Sequence, residues 1–173
     1  AMEEKADRQR ILRDELSTAL EKNELYLDYQ PIVSTRSGRI ICFEALLRWR
    51  HPARGLISPA DFIPVAEASG LIEPIGQWVL QQACSEAAGW PAGIGVAVNL
   101  SPQQFSGFGL AADVIRALDR SGLAPDRLEL EITESVFLTD SQENIRILHQ
   151  LKQLGIRIAL DDFGTGYSSL AYL

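Results

Sequence analysis

Apolar residues recur along this chain in two rhythms, and the switches between them lay out its elements. Between Asp7 and Lys22, Ile11, Leu12, Leu16, Ala19 and Leu20 fall on one side of a 3.6-residue repeat, which predicts an amphipathic helix. Leu25 to Val33 and Arg39 to Trp49 are rich in strand formers, and the polar link Ser34-Thr35-Arg36-Ser37-Gly38 makes them an antiparallel hairpin. Ser58-Pro59-Ala60-Asp61 carries a capping Ser, a Pro at the first helical position and an acid in the first turn, so a short helix should run from there to Gly70. A longer helix begins near Pro74, carries Ile75, Val79, Leu80, Ala83 and Ala87, and ends at Gly89. The pattern then alternates. Ile94 to Leu100, Leu128 to Thr133 and Ile156 to Asp161 read as strands, separated by helices over Leu110 to Arg120 and Asp140 to Leu154. Gly122 and Gly155 stop these helices, and Glu143 is placed for a capping box. Strands alternating with helices over short links predict parallel strands covered by helices.

Side chains on a strand point alternately to its two faces, so parity sorts them. Ile41, Phe43, Ala45 and Leu47 oppose Cys42, Glu44, Leu46 and Arg48; Val96, Val98 and Leu100 oppose Gly95, Ala97 and Asn99. Leu128, Leu130 and Ile132 oppose Glu129, Glu131 and Thr133; Ile156, Ile158 and Leu160 oppose Arg157, Ala159 and Asp161. Each strand has one apolar side and one side of acid, amide or small residues. An open doubly wound sheet would be apolar on both faces. A barrel with helices outside and a polar mouth fits better, and in such barrels the chemistry sits at the C-terminal strand ends. Asn99, Glu131, Asp161 and Asp162 all lie near such ends.

Composition narrows the chemistry. The chain has 173 residues, 16 Lys+Arg against 23 Asp+Glu, and a formal net charge of -7. That balance argues against DNA binding, which needs a basic face, but bound divalent cations would still admit a phosphorylated substrate. Cys42 and Cys84 are too few for a disulfide framework or a zinc site. No stretch approaches the roughly 20 apolar residues of a membrane span, so the chain is expected to be cytosolic. Ala1-Met2 reads as a cloning remnant.

Taken singly, each acid has an ordinary explanation. Glu44 could pair with a basic residue, although Arg48, four residues on, is about 13 Å along the same strand and out of direct reach. Asp161-Asp162 could cap a following helix. Together, carboxylates and an amide facing one mouth would repel strongly if bare. An all-oxygen cluster suits Mg²⁺ or Mn²⁺, and adjacent aspartates could bridge two ions, an arrangement used for attack on phosphodiesters. Other motifs fall away. Asp162-Phe163-Gly164 lacks the companion segments of a kinase, and Gly164-Thr165-Gly166 matches no nucleotide loop. His51 and His149 lack metal spacing, and Cys84 reads as core. Among the aromatic residues, Tyr29 beside Gln30 could stack on a base.

Several motifs, in order, carry a resemblance. Glu44-Ala45-Leu46 followed by Leu47-Arg48-Trp49 resembles the signature of the EAL-domain family of cyclic di-GMP phosphodiesterases. Tyr29-Gln30-Pro31-Ile32-Val33, Phe62-Ile63-Pro64 through Ala66-Glu67, Gly70-Leu71-Ile72, Asn99-Leu100-Ser101, Glu131-Ile132-Thr133-Glu134 and Asp161-Asp162-Phe163-Gly164-Thr165-Gly166 match further family motifs. The resemblance implies an α/β, TIM-like barrel whose first strand runs antiparallel to the others. It implies hydrolysis of cyclic di-GMP to linear pGpG with two Mg²⁺ or Mn²⁺ ions that activate a water. Glu44, Asn99, Glu131 and Asp161 would hold one ion, with Asp161 bridging to a second that Asp162 helps to hold. Gln30 and Arg48 would contact substrate, and Glu134 would anchor the loop beginning at Asp162. That loop and the helix around Tyr167 would form a homodimer contact, and a sensory or regulatory domain is expected upstream, with the chain as the cytoplasmic part of a larger protein that could be membrane-anchored.

The resemblance also sets an expectation of incompleteness. A barrel of this type takes about 250 residues, so residues 3–173 are expected to be its N-terminal portion, ending after about the fifth strand. The family's Lys-x-Asp motif and its later Glu and Gln do not occur in the chain, which by itself is not expected to turn over substrate. The alternative reading is a receptor that binds the dinucleotide without cleaving it, or an interaction module of the same fold. The presence of all five motif residues, Glu44, Asn99, Glu131, Asp161 and Asp162, favours the enzyme.

Overall fold

The computed structural model describes residues 2–106, 109–137 and 141–161, with side chains over 7–106, 109–136 and 142–160. Its elements are α1 (Met2–Leu16), β1 (Leu25–Val33), β2 (Ile40–His51), β3 (Gly55–Ile57), α2 (Pro59–Ser69), α3 (Ile72–Ala88), β4 (Gly95–Leu100), α4 (Leu110–Ser121), β5 (Leu128–Thr133), α5 (Ser141–Gln153) and β6 (Arg157–Asp161). Short 3-10 turns occupy Pro102–Phe105, Pro125–Arg127 and Glu134–Phe137. The sheet runs β1-β2-β4-β5-β6, with β3 folded back onto the end of β2. β1 is antiparallel to β2, and β2, β4, β5 and β6 are mutually parallel. Among the described strands this sheet is open.

The strand parity read from the sequence holds. Val96, Val98, Leu100, Leu128, Leu130 and Ile132 form a continuous buried face. It belongs to one core cluster with Val79, Leu80 and Ala83 of α3, Val114 of α4 and Leu151 of α5. Burying each large aliphatic side chain there contributes roughly 1.5–3 kcal/mol. Trp49 closes the core near α2: it is fully buried, lies edge-on to Phe62 at 5.6 Å, and donates its indole N–H to Glu24 Oε2 at 2.9 Å. That bond meets the requirement that a buried indole find an acceptor.

The inner face is different. Its lower layer holds Cys42, Gly95, Glu129 and Arg157, with Arg157 Nε 3.7 Å from Glu129 Oε2. Gly95 is small for a reason. A Cβ there would stand 2.6 Å from Arg157 Nη2 and 2.9 Å from the Arg127 carbonyl.

Local signals mostly translate. Gly70 and Gly122 end α2 and α4 in the left-handed region, at φ 76 and φ 69, where a side chain would be strained. Four expectations need correction. The first helix stops at Leu16, and turns carry the chain to Asn23; Leu12, Leu16 and Ala19 are buried as expected, but Ile11 is 42% exposed. Ser58 occupies the N-cap of α2 without a side-chain cap bond. β3 was not expected, because three residues are too few to show a period. Tyr29 cannot stack on a base: it points to the helix layer, edge-on to Trp90 at 5.2 Å, and burial chiefly pushes its hydroxyl up to about 12. Asp140, expected to begin the fifth helix, lies outside the described residues.

Two predictions follow from this packing. Gly95→Ala should destabilise the fold by about 1–3 kcal/mol, because one of the obstructing atoms is backbone and cannot swing away. Urea unfolding reads this directly, and an unchanged midpoint would contradict it. Burial, with Glu129 adding to it at Cys42, raises the thiols of Cys42 to about 11 and Cys84 to about 12. The folded state thus prefers both thiols neutral, so this contribution to stability is intact below their ordinary 9.0 and is lost as pH climbs through 11 to 12. At pH 8 both should react slowly with a disulfide reagent when native and quickly in urea; fast native reaction would refute the assignment.

Candidate functional site

The register of the sheet assembles the polar mouth. Glu44 of β2 lies opposite Gln30 of β1 on one side and Ala97 of β4 on the other. Asn99 is two residues beyond Ala97 on the same face, and its Nδ2 donates to Glu44 Oε1 at 2.8 Å. Asn99 in turn lies opposite Glu131 of β5. Glu131 lies opposite Ala159 of β6, and Asp161, opposite Thr133, is two residues further along the same face. The four positions form one row across four parallel strands: Asn99, Glu131 and Asp161 lie near the C-terminal ends of β4, β5 and β6, and Glu44 lies within β2 in the stretch that pairs with β4. Glu44 and Glu131 are half-buried and Asn99 is exposed, so the row opens to solvent.

This geometry fits a hard cation. All the side-chain groups available to a ligand here are oxygens, and the bond from Asn99 Nδ2 to Glu44 turns the amide so that Oδ1 remains as a donor atom for a metal. Among the described residues, no group of three or more His, Cys, Asp or Glu is close enough to hold a metal. The described part of the row is therefore two carboxylates and an amide. The Asp161 side chain and the whole of Asp162 lie outside the described residues, as do the Gly164-Thr165-Gly166 turn and the dimer contact expected around Tyr167.

Gln30 and Arg48 flank this row on the same inner face. Arg48 does not pair with Glu44, as strand spacing required; its Nε donates to Asp28 Oδ2 at 2.8 Å and its Nη1 to the Leu47 carbonyl at 3.0 Å. Glu134 begins the 3-10 turn after β5 with Oε1 buried and without a hydrogen-bond partner among the described residues. The loop it is expected to anchor begins at Asp162, beyond them.

Two supporting groups escaped the sequence reading. Asp28 was missed because the faces of β1 were not sorted; parity there would have put Tyr26, Asp28 and Gln30 beside Arg48, Leu46 and Glu44. Just after Asn99, Ser101 and Gln104 form a reciprocal capping box, and Ser101 Oγ donates to Glu67 Oε1 at 2.7 Å. The Ser-x-x-Gln spacing was the available signal. Gln104 reaches this position by lying over Gly76, where a Cβ would collide with its amide.

Comparison with known proteins agrees with this geometry. The chain is 55% identical over 158 residues to an uncharacterized protein, y4lL, of Sinorhizobium fredii, covering 91% of the chain and 19% of that protein. It is 48% identical over 177 residues to the bifunctional diguanylate cyclase/cyclic di-GMP phosphodiesterase MucR of Pseudomonas aeruginosa, covering 100% of the chain and 26% of MucR. The chain thus spans about a fifth to a quarter of the length of these curated relatives. The solved structure of the MucR phosphodiesterase in complex with c-di-GMP superposes with a TM-score of 0.88 at 48% identity, covering 93% of this chain and 67% of that one. The fold is accordingly the α/β, TIM-like barrel type with an antiparallel first strand. The family model for the EAL domain matches residues 13–173, and the chain belongs to the EAL-domain family.

Proposed function

We propose that this chain forms part of a metal-dependent phosphodiesterase site that hydrolyses cyclic di-GMP to linear pGpG in bacterial second-messenger signalling. The observation that carries this reading is the bond from Asn99 to Glu44 with Glu131 next to it in register, an oxygen-lined row on the polar face of the sheet. Membership of the EAL family and similarity to MucR supply the substrate class. Residues 3–173 are taken as the N-terminal portion of the domain, in line with coverage of 67% of the solved MucR chain. The reading includes a homodimer, an upstream sensory domain and a cytoplasmic setting. Among the described residues, no helix is long and apolar enough to cross a membrane.

Glu44, Asn99, Glu131 and Asp161 would hold one Mg²⁺ or Mn²⁺, with Asp161 and Asp162 holding a second. Such ions supply a water of lowered pKa and offset the negative charge that builds at phosphorus. The protein's own part is positional. Asn99 donates to one oxygen of the Glu44 carboxylate and so restrains its rotation. Gln30, directly opposite Glu44, can donate its amide to the substrate beside the metal row. Arg48 offers a planar cation to a phosphate, a geometry Lys cannot reproduce. Glu134 keeps the strand end and the following loop in place.

Loss of an outer supporting group at a metal site typically costs about 10–100-fold, so loss of a direct ligand should exceed that. In the full-length protein, Glu44→Ala should lower hydrolysis of cyclic di-GMP by more than about 100-fold, with circular dichroism unchanged; near-native turnover would refute the ligand role. Asp162→Asn should weaken the second ion more than the first in a calorimetric Mn²⁺ titration. Equal weakening of both would show that Asp162 does not discriminate between them.

A further inference from the structure

The ion pair between Asp28 and Arg48 belongs neither to the metal row nor to the core. In the β1–β2 register Asp28 lies opposite Leu46, and Arg48 lies opposite Tyr26. The pair is therefore diagonal, a separation of about 7–8 Å between backbones that a long side chain can span. The cation over the Tyr26 ring is the Arg50 guanidinium, at 5.0 Å. Arg48 is thus held at two points, Nε by Asp28 Oδ2 and Nη1 by the Leu47 carbonyl, while Nη2 has no hydrogen-bond partner among the described residues.

The pair stands at the boundary with water, with side chains 28% and 53% exposed. An ion pair in such a place adds little to stability. What it does supply is orientation. An arginine has many rotamers, and a binding group held in its bound geometry beforehand loses less freedom when the ligand arrives.

We propose that Asp28 is a positioning residue, whose carboxylate holds the Arg48 guanidinium with Nη2 presented to a phosphate of the substrate. The inference rests on the reading of this mouth as a cyclic di-GMP site and adds a residue to it. Asp28 makes no contact with the reacting atoms; it acts through Arg48.

Steady-state hydrolysis of cyclic di-GMP by the full-length protein tests this. Asp28→Ala should raise KM by about five- to tenfold while kcat stays within about twofold, the signature of lost ground-state binding. Asp28→Asn keeps an oxygen that accepts from Nε and should recover at least part of the loss. In an Arg48→Ala background, Asp28→Ala should have no further effect. Thermal unfolding of the variants should match the parent, which separates positioning from folding. An unchanged KM would overturn the proposal, as would additive losses in the double variant. A lowered KM would also overturn it, showing that the carboxylate competes with phosphate for Arg48. If the parent protein neither binds nor cleaves cyclic di-GMP, the functional reading falls and takes this one with it; if the parent turns over normally and Asp28→Ala matches it, only the positioning role falls.

Discussion

The bond between Asn99 and Glu44 exists only because β2 and β4 pair in parallel with Glu44 opposite Ala97. Strand side chains alternate with a period of two, so a slip of one residue would turn Glu44 into the helix layer and Ala45 toward the mouth. The apolar side prevents this. Ala45, Val96 and Val98 are buried in the helix-covered core, and exposing them to rescue a different pairing would lose several buried side chains at once. The core therefore sets the position of the polar row from the opposite face of the sheet. The same register carries across the sheet to Glu131 and to the end of β6.

The inner face is graded along the strands. At the lower level, Gly95 makes room for Arg157 beside Glu129, so charge there is balanced within the protein. At the upper level, Glu44 and Glu131 share the mouth with a neutral amide, and the nearby cation, Arg48, is engaged by Asp28. Carboxylates gathered at one mouth suit a bound cation, because its field offsets their mutual repulsion. The lower layer thus serves the fold, and the upper layer is the one to which the proposed function assigns the ligand.

Much of this was legible in the sequence because two periods do most of the sorting. The strand-helix alternation after Ile94 and the parity of Glu44, Asn99, Glu131 and Asp161 need only counting. Contacts between distant segments were not legible. Glu67 and Ser101 meet across 34 positions through tertiary structure that no local pattern encodes, whereas Asp28 and Arg48 meet within the β1–β2 hairpin, where sorting the faces of β1 would have brought them together. β3 was invisible because its pairing with Trp49 and its neighbours, rather than its own sequence, makes it a strand. The early end of α1 has a similar cause. Its apolar spacing continues to Leu20, but after Leu16 tighter turns such as Ala19 N–H to the Leu16 carbonyl replace the helix, and the chain they lead into brings Glu24 to the Trp49 indole.

In the proposed function, side chains of four parallel strands, Glu44 within β2 and the others at the ends of β4, β5 and β6, would share one cation. Anomalous diffraction at the manganese edge from Mn²⁺-soaked crystals tests it most directly. A shared site predicts a peak within direct coordination distance, close to the roughly 2.0–2.1 Å of Mg²⁺ to oxygen, of Glu44, Asn99, Glu131 and Asp161 together. Peaks confined to other acidic surfaces, with these four side chains bound to no common ion, would contradict it.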